Sequence, residues 1–346
     1  MGETMLAARF HGIGDLRLED VPVPEPGPLE VLVKVEACGI CLSDVHLLDG
    51  GIPAVTQPVT PGHEAFGVVA RTGDLVPGWA EGQRASLAGG RPCGRCARCR
   101  VGRMDECLAF EIMGFHYDGA WAEYVAVPYF TLAPVPDGVS AEQAAILADA
   151  VATPYAALSE RAALRPGESV GLWGIGGLGT HAVQIARLLG AGFVVAVDPL
   201  ESARKRALDR GADAALDPNE GDVVAEIREL TDGLGLDVAV DLVGANRVMK
   251  QAVAALGRGG RAVMVGLSLD PLQLGPGLLL GIQSQSILGH LGYEKRHLDD
   301  LVALLAGGRL DLSASISDVI PLADVADGVR RLAEKDGDPV RILVRP

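Results

Sequence analysis

Four cysteines fall within fifteen residues, as Cys93-x2-Cys96-x2-Cys99-x7-Cys107, with Gly94 and Gly102 among them. Four thiolates at this spacing can close a tetrahedral shell around one zinc ion, which leaves no coordination position open and makes the ion structural. An iron–sulfur run would want a shorter last gap and a following proline. Five arginines surround the cysteines: Arg91, Arg95, Arg98, Arg100 and Arg103. They raise a nucleic-acid-binding zinc ribbon as an alternative. The simpler reading is a set of solvated side chains offsetting a zinc–thiolate charge of about −2.

A second group is dispersed. Gly39-Ile-Cys41-Leu-Ser43-Asp44-Val-His46 precedes Gly62-His63-Glu64. One thiol, one imidazole and neighbouring carboxylates suit a zinc ion that keeps a position open for substrate. Each residue alone has a plainer explanation as buried filler or a hydrogen-bonded core group, and Cys38 is expected to be filler.

A third motif, Trp173-Gly174-Ile-Gly176-Gly177-Leu178-Gly179, contains G-x-G-x-x-G between an expected strand and an expected helix. Gly174 makes the turn, Gly176 lets backbone approach a pyrophosphate, Gly179 allows close helix–sheet packing, and the helix N-terminus favours the phosphate charge. Asp198, 19 residues after Gly179, is placed to accept hydrogen bonds from the adenosine ribose and to repel a 2′-phosphate, so NAD is expected over NADP. Arg204, Lys205 and Arg206 follow closely, and Arg204 in particular could serve a phosphate.

Bulk properties narrow the partners. The 346 residues are 49% apolar, enough for two domains without disulfide staples. A balance of 30 basic against 45 acidic residues, net −15, disfavours nucleic acid and membrane surfaces. The absence of an apolar h-region near the start, or of a spanning apolar run, gives a cytoplasmic expectation. In a reducing compartment, clustered cysteines are read as metal ligands.

The elements that must carry these groups change character near residue 140. Before it, short apolar runs at 5–10, 31–37, 65–70 and 120–127 sit among turns, and the four prolines of 21–28 exclude helix and central strand. This part reads as irregular all-β. Ser140-Ala-Glu-Gln143 has capping-box spacing ahead of an alanine-rich helix. From 166 onward strands (169–173, 193–197, 238–242, 262–265) alternate with helices (179–189, 201–210, 223–230, 248–256), which argues for a doubly wound parallel sheet. A helix at 298–305 and a strand at 340–344 follow, the last returning to the first domain.

Taken in this order and spacing, the three motifs resemble those of the zinc-dependent alcohol dehydrogenases of the medium-chain dehydrogenase/reductase superfamily, over essentially the whole chain. The resemblance implies an α/β protein. Its parts are a GroES-like irregular β catalytic domain at 1–150 with a structural-zinc lobe at 89–108, a Rossmann doubly wound domain at 151–288, and a return to the catalytic domain at 289–346. The cleft between the domains is expected near 149–155 and again near 285–295. The resemblance also implies two zinc ions per chain and NAD, and an assembly of two or four copies. Cys41, His63 and Asp149 would hold the catalytic zinc, with Glu64 as an exchanging fourth ligand. Asp149 stands where many relatives carry cysteine, and its oxygen is expected to loosen zinc. Asp44 would orient His63. Ser43 and His46 would relay the proton to water. Gly266 and Leu267 would approach the nicotinamide through backbone.

The implied reaction is hydride transfer between NAD(H) and a secondary or bulky alcohol, ketone or aldehyde, with zinc as Lewis acid. A polyol, threonine-type or thioester-linked alcohol dehydrogenase is the alternative, and a non-catalytic NAD-binding zinc scaffold a second. Three positions depart from the family pattern. Ala203 stands where relatives carry a base, with Arg204 beside it. Leu42 stands where some relatives carry a phosphate-binding base. Gly89 replaces an aromatic that narrows the pocket, so a wider pocket is expected, and Gly89→Trp should penalise the largest substrates.

Overall fold

The computed structural model describes residues 2–346. They divide into two compact units. Residues up to Ala152 together with Tyr293–Pro346 form the first, and Thr153–Gly292 the second. The sequence placed these changes at 151 and 289.

Among the described residues of the first unit, seven strands form a sheet in the order Ile316–Pro321, Arg341–Arg345, Glu30–Gly39, Glu64–Thr72, Arg84–Leu87 and Leu132–Pro134, with Tyr124–Pro128 also paired to Glu30–Gly39. All pairings are antiparallel except that of Ile316–Pro321 with Arg341–Arg345. Val31, Val33 and Val35 alternate into the core, as a half-buried strand requires, and meet Val69, Ala85 and Val127. The last strand pairs Leu343 with Gly39 and Val344 with Cys38, so the C-terminal chain braces the backbone just before Cys41. Prolines 24, 26 and 28 lie between Asp15–Pro22 and Glu30–Gly39, where no ladder donor is needed.

In the second unit six parallel strands are ordered Ala214–Leu216, Phe193–Val197, Ser169–Trp173, Leu236–Asp241, Leu256–Met264 and Ser286–Gly289. Counted along the unit, this is 3-2-1-4-5-6, the doubly wound arrangement that reverses beside Ser169–Trp173 and gathers the strand ends into a nucleotide-binding crevice. Trp173, Val195, Ile227 and Leu236 are buried within it. The short edge strands Ala214–Leu216 and Ser286–Gly289 were not expected; three or four residues carry too little periodicity. Leu256–Met264 begins six residues before the expected 262, because Gly257, Gly259 and Gly260 interrupt its apolar pattern. Among the described residues no helix is long and apolar enough to cross a membrane.

Candidate active site

The dispersed cysteine–histidine group comes together within the first unit. Cys41 is the N-terminal cap of the helix Leu42–Asp49. Asp44, three positions on, turns its carboxylate back so that Oδ2 accepts the Cys41 N–H at 2.9 Å. Its Oδ1 accepts the Gly62 N–H at 3.3 Å and lies 3.3 Å from His63 Nδ1. One fully buried carboxylate therefore fixes the helix start, the turn ahead of His63 and the ring itself. That leaves Nε2 facing inward, 3.6 Å from Asp149 Oδ2. The same oxygen lies 3.3 Å from Cys41 Sγ. Donor atoms of Cys41, His63, Glu64 and Asp149 all lie within 4.8 Å of one another.

Asp149 reaches this cluster through unusual backbone. The helix Ala141–Ile146 starts on Ser140, whose hydroxyl accepts the Gln143 N–H at 3.2 Å. The helical path then breaks at Ala148 (φ −67, ψ 122) and Asp149 (φ 68, ψ −66), and resumes at Ala152–Ala156. The Asp149 dihedrals are those of a γ-turn that L-residues rarely adopt. Strain of this kind persists where the surroundings over-determine the residue, and it marks functional positions.

The donor set fits zinc. Ligands at bonds of about 2.0–2.3 Å in a tetrahedron lie about 3.3–3.8 Å apart, which brackets the two observed separations from Asp149. The electrostatics agree. Burial pulls His63 down, but Asp44, Asp149 and Cys41 outweigh it and raise its pKa well above that of a free imidazole. Burial, then the Asp149 carboxylate, pushes the Cys41 thiol up. Burial pushes the Glu64 carboxyl up to about 8, against the pull of Arg341. A pocket that holds protons this firmly is one in which a cation satisfies the same acceptors.

Arg341 was not foreseen. It is 1% exposed, and its Nη2 lies 2.9 Å from Glu64 Oε1. The signal was there: a lone charge at the head of an apolar strand must have a partner. Tyr293 was missed as well. Its hydroxyl accepts the Gly89 N–H at 2.9 Å. A Cβ at Gly89 would lie 2.8 Å from the His63 carbonyl oxygen, so Gly89→Trp would press on the His63 backbone whatever the substrate. Tyr293 thus brings an aromatic side chain beside position 89, a contact no local pattern announces.

Ser43 Oγ lies 3.6 Å from Cys41 Sγ. His46 is three residues further along the same helix, on the same face. It is 45% exposed, with Nδ1 3.7 Å from an Asp49 carboxylate oxygen. Cys38 is fully buried in the core.

The four-cysteine lobe is local and exposed by contrast. Its sulfurs also lie within 4.8 Å of one another, and no disulfide joins any of the six cysteines. Cys107 Sγ accepts the N–H groups of Cys93 at 3.1 Å and Ala109 at 3.4 Å. Hydrogen bonds from Cys99 and Leu108 backbone pull the Cys96 thiol down to about 6. Donors already aimed at sulfur suit thiolate ligands. Arg91 pairs with Glu111 at 2.6 Å and lies over the Tyr117 ring at 4.0 Å, while Arg98 and Arg103 pair with Glu106. Three of the five arginines are thus engaged with protein groups.

In the second unit the glycine turn joins Ser169–Trp173 to the helix Gly179–Leu188. A Cβ at Gly179 would fall 1.9 Å from the Gly174 carbonyl oxygen, whereas one at Gly176 would meet nothing within 4 Å. The first contact demands glycine for packing. The second leaves open the space that a pyrophosphate needs, and Gly177 and Leu178 carry the chain between them. Asp198 closes the turn: Oδ2 accepts the Ile175 N–H at 2.7 Å and Oδ1 the Leu200 N–H at 2.9 Å. Each oxygen retains acceptor capacity for a ribose hydroxyl. A cavity of about 360 Å³ is lined by residues 264–268 and 289–291, which include Gly266 and Leu267. The residues present therefore fit a dinucleotide.

Residues 27–137 match the model of the alcohol dehydrogenase GroES-like domain, and residues 177–307 that of the zinc-binding dehydrogenases. An NAD-dependent alcohol dehydrogenase of Sulfurisphaera tokodaii is 37% identical over 273 residues, 76% of this chain and 78% of that protein. The sorbitol dehydrogenase of Bacillus subtilis is 30% identical over 99% of this chain and 98% of its own. A zinc-binding dehydrogenase of Sinorhizobium meliloti, solved with NADP bound, superposes with a TM-score of 0.91 at 32% identity, covering 99% of this chain and all of that one.

Proposed function

Because the chain belongs to the zinc-binding alcohol dehydrogenase family, we propose that it oxidises a secondary or bulky alcohol, or reduces the matching ketone or aldehyde, with NAD(H) and a zinc ion held by Cys41, His63 and Asp149. The observation that carries this reading is the convergence of Cys41, His63, Glu64 and Asp149 within 4.8 Å. When bound, the zinc supplies Lewis-acid polarisation of the substrate oxygen and the dinucleotide supplies the hydride acceptor or donor.

The chain's own residues do the rest. Asp44 holds the His63 ring with Nε2 turned into the cluster. Glu64, backed by Arg341, stands ready as a fourth donor. Ser43, beside Cys41, takes up the substrate's proton as it passes its own hydroxyl proton on toward His46, which exchanges a proton with solvent. Gly174, Gly176, Gly177, Leu178, Gly179 and Asp198 bind the adenosine half and pyrophosphate, and Gly266 and Leu267 line the nicotinamide end. Cys93, Cys96, Cys99 and Cys107 hold a second, structural zinc. A reducing, cytoplasmic setting suits six unpaired thiols.

Tyr293 is the residue we assign to substrate orientation. With one lone pair accepting from Gly89, its O–H remains a donor. That donor favours, as a second reading, a polyol oxidised at a secondary carbon. A panel of primary, secondary and polyhydroxy alcohols followed at the NADH absorbance band tests both. The lead reading requires higher kcat/KM for secondary or branched alcohols than for ethanol, and Tyr293→Phe should penalise polyols selectively if the second holds. No turnover of any alcohol by protein carrying two zinc ions would overturn the assignment.

We further propose a homo-oligomer. The helix Gly277–Gln283 buries none of its residues, leaving Leu278, Leu279 and Ile282 exposed, and the next strand, Ser286–Gly289, is the unpaired edge of its sheet. A second copy related by a two-fold axis would pair that edge with itself and cover the leucines. Leu278→Asp should then lower the mass measured by light scattering.

A further inference from the structure

The turn that carries Asp198 is held by a side chain six residues on. Arg204 Nη1 donates to the carbonyl oxygens of Asp198 at 2.9 Å and Pro199 at 2.8 Å. It also donates to Asp217 Oδ2 at 2.7 Å. Asp217 is fixed in turn, because its Oδ1 accepts the Asn219 N–H at 2.9 Å. The two side chains are 19% and 13% exposed, so their attraction is screened far less than that of a surface pair. The neighbouring Arg206 is occupied elsewhere: it donates to the Thr180 hydroxyl and the Ile175 carbonyl, both at 3.2 Å.

An arginine near the ribose accommodates a 2′-phosphate by directing its donors and charge at the phosphate oxygens. A guanidinium whose charge is met by a carboxylate, and whose Nη1 is drawn to that carboxylate and to two carbonyls, is held on the turn with its charge already compensated. A 2′-phosphate would therefore face the Asp198 carboxylate with its nearest candidate counter-charge already spent. We propose that Asp217 is a specificity-determining residue for the dinucleotide: by retaining Arg204 on the Asp198–Pro199 turn, it withholds the guanidinium from a 2′-phosphate and reinforces the choice of NAD over NADP. This rests on the NAD-linked reading above and adds a residue to it, one strand away from the acid that the glycine motif points to.

The test is titration calorimetry of the full-length protein with AMP and with adenosine 2′,5′-bisphosphate, the adenosine halves of NAD and NADP. It needs neither turnover nor zinc. Wild type should bind AMP more tightly than the bisphosphate. Asp217→Asn keeps the shape and removes the charge. It should raise affinity for the bisphosphate relative to AMP about tenfold, the scale of one charge-assisted contact, and adding Arg204→Gln should abolish that gain. Arg204→Gln alone should loosen the turn for both ligands alike and move their ratio by less than about twofold, because the guanidinium is already committed to Asp217. The kcat/KM ratio for NADP over NAD should follow the same order. An unchanged ratio in folded Asp217→Asn overturns the inference. So does a selective loss of bisphosphate binding in Arg204→Gln alone, since Arg204 would then already serve the phosphate. Wild type preferring the bisphosphate would overturn the NAD-linked reading itself, and the inference with it.

Discussion

The two candidate metal groups in this protein are built on opposite plans. The lobe takes four identical donors from a single stretch of fifteen residues, leaves most of them half exposed, and orients its sulfurs with backbone N–H groups of the same stretch. The buried group takes a sulfur, an imidazole and carboxylates from three stretches up to 108 residues apart. It orients them with side chains, Asp44 beneath His63 and Arg341 beneath Glu64, and it accepts a strained residue at Asp149. A structural ion needs only to be enclosed, and a local loop suffices. An ion that must keep a position open needs each ligand held from outside, which takes a folded domain.

Removing one ligand from each group exposes the contrast most sharply. Cys41→Ala or His63→Ala should cut kcat/KM by about a thousandfold or more, the loss of several kcal/mol of charge stabilisation. Elemental analysis should find the lobe's zinc retained. Cys96→Ser should do the reverse: the lobe's zinc is lost and the melting temperature falls by several degrees, while the protein that remains folded keeps kcat/KM within about threefold, the four cysteines being a group separate from Cys41, His63 and Asp149. Equal loss of activity from both would erase the distinction.

Asp44→Asn should weaken zinc at the buried group by about 10- to 100-fold in chelator competition, the usual effect of a partner that orients a histidine ligand. The lobe has no equivalent side chain to remove. The smallest effect concerns stability. Asp149→Gly relieves the positive φ and should stabilise the metal-free protein by about 1 kcal/mol in urea titration, while abolishing zinc at that group. A destabilised metal-free variant would mean that the turn is not strained at rest.

The same contrast explains what could be read in advance. The lobe and the glycine turn are local, so spacing alone carried them. The alternation of strands and helices after 166 was legible because each element is long enough to show its period. The dispersed group was only suggestive from Cys41, His63 and Glu64, and Asp149 entered through family resemblance, since nothing about an aspartate among alanines announces a ligand. Arg341 and Tyr293 lie in the returning C-terminal segment, and their partners Glu64 and Gly89 are more than 200 residues away. Side-chain contacts across such distances are set by packing, which one sequence does not display. The short edge strands and the glycine-rich start of Leu256–Met264 escaped for want of pattern.

The claim that organises the account is that Cys41, His63 and Asp149 together grip one zinc ion. Crystals of the active protein, measured above and below the zinc absorption edge, answer it directly. The account predicts two anomalous peaks per chain, one among the lobe sulfurs and one about 2.0–2.3 Å from Cys41 Sγ, His63 Nε2 and an Asp149 oxygen. A single peak at the lobe, in crystals whose dissolved protein turns over at full rate, would contradict it.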